Sequence, residues 1–261
     1  MKEIYREALG LIDLTSLNAT DTPAKIGAMV QKVNEFHSVY PHYPLPASIC
    51  VYPNFAGLIK SLRKDPEVHI TVVGGCFPAS QSPLEVKILE CVKAVEDGAD
   101  EVDIVLALNA FLEGNYPEAE REIREIGAAI RGVNSQVHLK VILETGALQQ
   151  ESLIREASFL AMEAGADFIK TSTGKMQPAA TSEAARIMCE CIREFHAKGG
   201  RKVGFKPAGG IATAEDAVCY YNIVKEILGP EWLNKQLFRF GASRMANNLL
   251  SALEEKEVKY F

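Results

Sequence analysis

The sequence predicts a single (β/α)8 barrel of eight parallel strands, the TIM-barrel class, and three observations lead there. The 261 residues are 48% hydrophobic and 24% charged, with no Ser-, Gly- or Pro-rich linker, which suits one barrel domain over 1–261. Eight short runs rich in Val, Ile, Leu and Phe alternate with amphipathic helical stretches to the end of the chain. The segment Glu96-Asp97-Gly98-Ala99-Asp100 is echoed by Glu163-Ala164-Gly165-Ala166-Asp167. In both, glycine closes a helix in the left-handed conformation and a strand begins at once. The two lie two units of about 33 residues apart, and eight such units fill the chain. An open doubly wound sheet is the rival, but no Gly-x-Gly-x-x-Gly follows the first strand.

In chain order the expected strands are 10–14, 47–51, 69–73, 101–106, 138–143, 167–170, 202–206 and 237–240. Each is short and apolar, as strands covered on both faces must be. The expected helix at 22–36 opens on Asp21-Thr22-Pro23, a cap with proline in the first turn. That at 83–97 places Leu84, Ile88, Cys91, Val92 and Val95 on one face and turns Glu85 and Lys93 outward. Further helices are expected near 117–131, 150–164, 182–198, 214–228 and 243–256.

Composition narrows the function. Lys and Arg total 28 against 34 Asp and Glu, a net charge of −6 with no basic run. Nucleic-acid and anionic-membrane binding are therefore not expected. The N-terminal Met1-Lys2-Glu3-Ile4-Tyr5-Arg6-Glu7 carries charges where a signal peptide needs an apolar core, and no apolar run nears a membrane span, so a cytoplasmic location is expected. Six cysteines form no Cys-x-x-Cys pair, and His37, His42, His69, His138 and His196 show no metal-ligand spacing. No metal and no cofactor are expected. His69 and His138 each start a strand and read as structural.

Two lysines point to chemistry. Lys170 closes the apolar run Asp167-Phe168-Ile169 before Thr171-Ser172-Thr173-Gly174-Lys175, and Lys206 closes Val203-Gly204-Phe205 before Pro207-Ala208-Gly209-Gly210. Lysine is rarely buried without a purpose, and an amine in an apolar pocket beside another cation loses proton affinity and turns nucleophilic. Barrel active sites sit at the C-terminal ends of strands, so the two lysines would stand side by side on strands six and seven. Asp103 interrupts Val102-Asp103-Ile104-Val105, where a carboxylate needs a partner. It reads as an ion-pair partner of a core lysine, a proton carrier, or both. Glycine-rich turns at Thr173-Gly174-Lys175, Gly209-Gly210-Ile211 and Gly241-Ala242-Ser243 would offer backbone N–H groups to an anionic substrate.

These segments, with Leu11-Ile12-Asp13-Leu14-Thr15-Ser16-Leu17-Asn18, Glu101-Val102-Asp103, Lys140-Val141-Ile142-Leu143-Glu144-Thr145-Gly146 and Arg239-Phe240-Gly241-Ala242-Ser243, resemble the deoxyribose-phosphate aldolase family along nearly the whole chain. The resemblance implies a class I aldolase that reversibly cleaves 2-deoxy-D-ribose 5-phosphate to acetaldehyde and D-glyceraldehyde 3-phosphate, in deoxyribonucleotide catabolism. It makes Lys170 the Schiff-base lysine, Lys206 the lysine that tunes it, and Asp103 the acid/base. It assigns Gly174, Lys175, Gly209, Gly210 and Ser243 to the phosphate, and Asp13 and Thr15 to the pocket wall. Its partners are small molecules only, and a homodimer is the assembly that it suggests. Another Schiff-base barrel aldolase, of transaldolase or fructose type, and a silent sugar-phosphate-binding barrel are the alternatives.

Departures from the family pattern add expectations. A proton-relaying tyrosine often ends such chains, whereas here Tyr260 is followed by Phe261; the tail over about 254–261 is expected to fold over the pocket and bring Tyr260 to it. Some relatives carry arginine after the Gly-Gly-Ile turn, where Ala212 stands here, and Arg244 is expected to supply the missing charge. Cys50, ending the second strand, is expected to border the pocket.

Overall fold

The computed structural model describes all residues, Met1–Phe261. A first helix α1 (Lys2–Leu9) precedes strand β1 (Ile12–Thr15), followed by α2 (Pro23–Val39), β2 (Ser48–Val51), α3 (Ala56–Leu62) and β3 (His69–Val73). Next come α4 (Leu84–Glu96), β4 (Glu101–Val105), α5 (Leu108–Leu112), α6 (Tyr116–Val133) and β5 (His138–Ile142). Then α7 (Thr145–Leu148), α8 (Glu151–Glu163), β6 (Phe168–Lys170), α9 (Ser182–Ala197) and β7 (Gly204–Lys206) lead to α10 (Ala214–Ile227), β8 (Phe240–Ala242) and α11 (Met245–Glu254). No helix is long and apolar enough to cross a membrane.

The strands form one sheet in the order β7-β6-β5-β4-β3-β2-β1-β8, with every paired register parallel. The eighth strand is shifted from its expected place: its apolar residues predict 237–240, but the ladder with β1 runs over 240–242. Gly241 breaks the apolar signal there. The expected segment instead makes the contact with β7, through a bridge between Phe205 and Phe238, and a second bridge joins Ala208 to Gly241. These two bridges bring the ends together into a nearly closed (β/α)8 barrel.

Strand periodicity divides the barrel into two environments. Outward residues such as Ile49, Val51, Ile70, Val72, Val102, Ile104, Leu139 and Val141 join the helices in one connected core of 71 buried residues. The alternate, inward residues are largely polar: Asp13, Ser48, Thr71, Glu101, Asp103, Lys140, Lys170, Lys206 and Arg239 are all buried. Barrel interiors are usually filled by branched apolar side chains. Here charges fill it, which is costly unless each is paired.

Local signals set the helices that the site depends on. Thr22 accepts from the Lys25 amide ahead of α2, and Thr181 caps α9 in the same way. Thr213 and Asp216 form a reciprocal capping box for α10. Gly98 and Gly165 both have positive φ, so each helix end turns directly into the next strand as the repeat predicts.

Candidate active site

At the C-terminal ends of the strands, Lys170 and Lys206 are direct register partners on β6 and β7. Both point inward and converge on one oxygen. Asp103 Oδ2 accepts from Lys170 Nζ at 2.9 Å and from Lys206 Nζ at 2.8 Å. A carboxylate therefore stands between the two amines, where bare repulsion between neighbours was expected.

Lys206 is the deeper of the pair, fully buried and also paired with Asp13. Burial works against its ammonium, but Asp103 and Asp13 outweigh that and raise its pKa. Asp103 is likewise buried, which alone would favour the neutral acid; Lys140, Lys170 and Lys206 reverse this and lower its pKa. Its second oxygen, Oδ1, receives no well-aligned hydrogen bond and instead faces Lys140 Nζ at 3.2 Å. Asp13 follows the same rule. Its burial is outweighed first by Lys206, then by Arg239 and Lys140, so it too remains ionised.

A second layer lies beneath. Arg239 reaches Asp13 Oδ1 at 2.5 Å and Glu101 Oε1 at 2.7 Å, and Lys140 pairs with Glu101. Thr71 donates to Glu101 Oε2 at 2.7 Å, Ser48 donates to Asp13 at 2.7 Å, and His69 Nδ1 lies 2.8 Å from Glu101 Oε1. His138 approaches the same oxygen at 3.8 Å, so both histidines belong to the floor of the barrel. Lys140 and Arg239 also lie over the Phe168 ring, 5.6 and 5.8 Å from its centre. The opposite register position is Gly204, and a side chain there would overlap that ring.

Glu101, Lys140 and Arg239 join the cluster beyond the residues that the sequence predicts for it. Glu101 and Lys140 each stand in an apolar strand, two residues from an inward position, the signal that singled out Asp103. Arg239 breaks the apolar run Leu237-Phe238-Arg239-Phe240 in the same way.

Above this floor opens a cavity of about 250 Å3. Its wall includes Thr15, Lys170, Thr173, Gly174, Lys175, Gly209, Gly210, Ser243 and Arg244. Lys170, only 3% exposed, is the one member of the charge cluster that reaches it. At the far side, the backbone amides of Gly174, Gly209, Gly210, Ser243 and Arg244 donate to no acceptor in the protein. Gly174, Gly209 and Gly210 all have positive φ, and Gly174 and Gly209 touch across the rim. Lys175 donates to the Leu17 carbonyl at 2.6 Å. Acceptor-free amides beside two cations make a cradle for an anion.

Three expected site residues lie elsewhere. Asp13 is beneath the cavity, sealed by Lys206 and Arg239, and does not form its wall. Cys50 is also below the surface, 1% exposed, and burial raises its thiol pKa. Tyr260 is not brought to Lys170. Its hydroxyl donates to the Lys32 carbonyl at 2.7 Å, and its ring packs on Phe36 and Tyr40 of the α2 side. Asn247 Oδ1 accepts from the backbone amides of both Tyr260 and Phe261, fixing the tail there.

Residues 8–220 match the family described as DeoC/LacD family aldolase. The chain belongs to that family. A Caenorhabditis elegans protein carrying the provisional name deoxyribose-phosphate aldolase is 40% identical, over 97% of this chain and 82% of the relative. A solved aldolase designated QR15 is 30% identical, with a TM-score of 0.76, covering 95% of this chain and 96% of its own. The apo structure of a Toxoplasma gondii ME49 protein, given the same provisional name, is 25% identical with a TM-score of 0.81, covering 97% and 98%. As a DeoC/LacD aldolase the protein is a lyase acting at a carbon–carbon bond. The inward lysines and the cavity lie at the barrel face where such chemistry is carried out.

Proposed function

We propose that this aldolase cleaves 2-deoxy-D-ribose 5-phosphate reversibly to acetaldehyde and D-glyceraldehyde 3-phosphate through a Schiff base on Lys170. The observation that carries the proposal is the span of the cavity. An amine opens at one end and an anion cradle at the other, as a short phosphorylated aldehyde requires. The relatives' names agree with this substrate class.

Lys170 Nζ attacks the C1 aldehyde carbon, and loss of water leaves an iminium, which draws electrons from the C2–C3 bond. Removal of the C3 hydroxyl proton breaks that bond and releases glyceraldehyde 3-phosphate. The enamine left behind takes a proton at C2, and hydrolysis frees acetaldehyde and the lysine. Asp103, 2.9 Å from Nζ, is within reach to hold and return protons at that nitrogen. Lys206 supplies a fixed positive charge on the other side of the same oxygen.

With Lys140, Lys170, Lys206 and Arg239 facing Asp13, Glu101 and Asp103, the buried cluster holds one cation in excess. Of its four cations, Lys170 is the member with a single carboxylate contact and an opening to the cavity. Arg244 and Lys175 at the rim provide the charge opposite the phosphate.

Borohydride reduction in the presence of acetaldehyde should add two carbons to Lys170. Turnover of deoxyribose 5-phosphate should vanish in Lys170→Ala. An adduct on another residue, or turnover that survives the substitution, rules the proposal out.

A further inference from the structure

We infer that Glu144 is a positioning residue that holds the 173–175 loop in its anion-binding shape, acting on the substrate's charged end through Thr173. The inference deepens the function proposed above, since it rests on the cavity's far side receiving a phosphate.

Glu144 follows β5 and opens α7, so it is one strand away from the loop and lines no part of the cavity. It is 3% exposed and has φ of +55°, a left-handed backbone that costs a residue with a Cβ. That turn aims its carboxylate at the end of β6. No basic nitrogen lies within 4.0 Å of it. Both oxygens are instead committed to one residue: Oε1 accepts from the Thr173 amide at 3.2 Å, and Oε2 accepts from Thr173 Oγ1 at 2.5 Å. The same hydroxyl oxygen accepts from the Lys175 amide at 3.0 Å.

The chain of contacts has a directional consequence. Because the Thr173 hydroxyl donates to Glu144, its lone pairs face Lys175, and the Lys175 amide is drawn inward. The Gly174 amide between them is left without an acceptor and on the cavity wall. Glu144 is the one side chain from outside the loop that is hydrogen-bonded to Thr173, so without it the Thr173 end of the loop loses that anchor. A buried carboxylate with no cation to balance it is expensive. Its use here is to convert a flexible glycine turn into a preorganised donor.

Glu144→Gln tests the inference, because the amide keeps the volume but can accept from only one of the two donors. Inorganic phosphate is titrated into wild type and variant and followed at the Gly174 amide by NMR. Phosphate affinity is expected to fall about tenfold in the variant. KM for deoxyribose 5-phosphate should rise by a similar factor with kcat within about twofold, and the acetaldehyde–borohydride adduct on Lys170 should form in equal yield. Thr173→Val removes the same hydrogen bond from its other end, and serves if Glu144→Gln does not fold. The double variant should lose no more than either single one. Equal phosphate affinity in wild type and variants overturns the inference, as does a fall in kcat with KM unchanged. An absent Lys170 adduct in wild type, with phosphate binding still lost in Glu144→Gln, overturns the Schiff-base function and upholds Glu144's role.

Discussion

In the proposed mechanism Asp103 Oδ2 is the central atom, since it accepts a hydrogen bond from both lysines. Its pKa is lowered and that of Lys206 is raised, so neither group changes charge near neutrality. The yield of borohydride-trapped adduct should therefore show no limb between about pH 5 and 9 that disappears in Asp103→Asn or shifts in Lys206→Arg; such a limb would contradict the assignment. Lys206→Ala removes the nearer of the two lysines that face both Asp13 and Asp103, and kcat should fall by about 100-fold or more. Cys50 makes a separate prediction. Burial raises its pKa and closes it off, whereas Cys219 is exposed. Peptide mapping after iodoacetamide treatment should show Cys219 labelled well before Cys50; the reverse order would show that the barrel opens at β2. At this scale Lys170, Lys206 and Asp103 were legible because each breaks an apolar run at a strand. Tyr260 was not, because a family likeness says nothing of a hydroxyl that finds the Lys32 carbonyl instead.

Among the elements, glycines decide how closely the strands and loops that carry the site can approach. A Cβ on Gly241 would stand 2.6 Å from the Ala208 Cβ and 3.1 Å from Lys206 Cε, so β8 leaves room for the lysine stem only without one. Gly241→Ala should lower kcat with little change in the helical signal, and an unaltered kcat would show that β8 shifts freely. Gly146 is tighter still, since a Cβ there would overlap the Pro178 carbonyl oxygen that lies over α7. Gly146→Ala should destabilise the protein by about 2 kcal/mol or more in urea unfolding. Seven of the eight strands were legible within two residues because burial on both faces leaves a continuous apolar run. The eighth was not, because Phe240-Gly241-Ala242 carries small residues where the run should continue. Helices α3, α5 and α7 escaped for a different reason: at 7, 5 and 4 residues they are too short for a 3.6-residue period to show, and packing rather than pattern holds them. The eight-residue helix α1 is amphipathic, but it too spans little more than two turns.

For the molecule as a whole, the buried charges tie stability to pH. Asp13, Glu101 and Asp103 all have lowered pKa values, each because neighbouring cations outweigh burial. The unfolded chain takes up protons on these groups near their model values, 3.8 for Asp and 4.5 for Glu, while the folded chain does not. Their contribution is thus present above about pH 5 and is lost as pH falls toward the folded values. Urea unfolding free energy should drop by at least about 2 kcal/mol between pH 6 and pH 3, and a flat profile would mean that the cluster is not ionised. The overall class was legible because length, alternation and the Gly-Ala-Asp repeat all constrain the same closed topology. The polar interior was only half legible, since its lower layer has no catalytic signature. That layer bears on how the barrel stays shut. The β7–β8 junction has two isolated bridges in place of a ladder, yet Arg239, beside it, reaches across to strands one and four. The seam is clasped from inside by a guanidinium, so hydrogen exchange at Phe205 and Gly241 should report on a side chain rather than on local backbone pairing, and should quicken selectively in Arg239→Met.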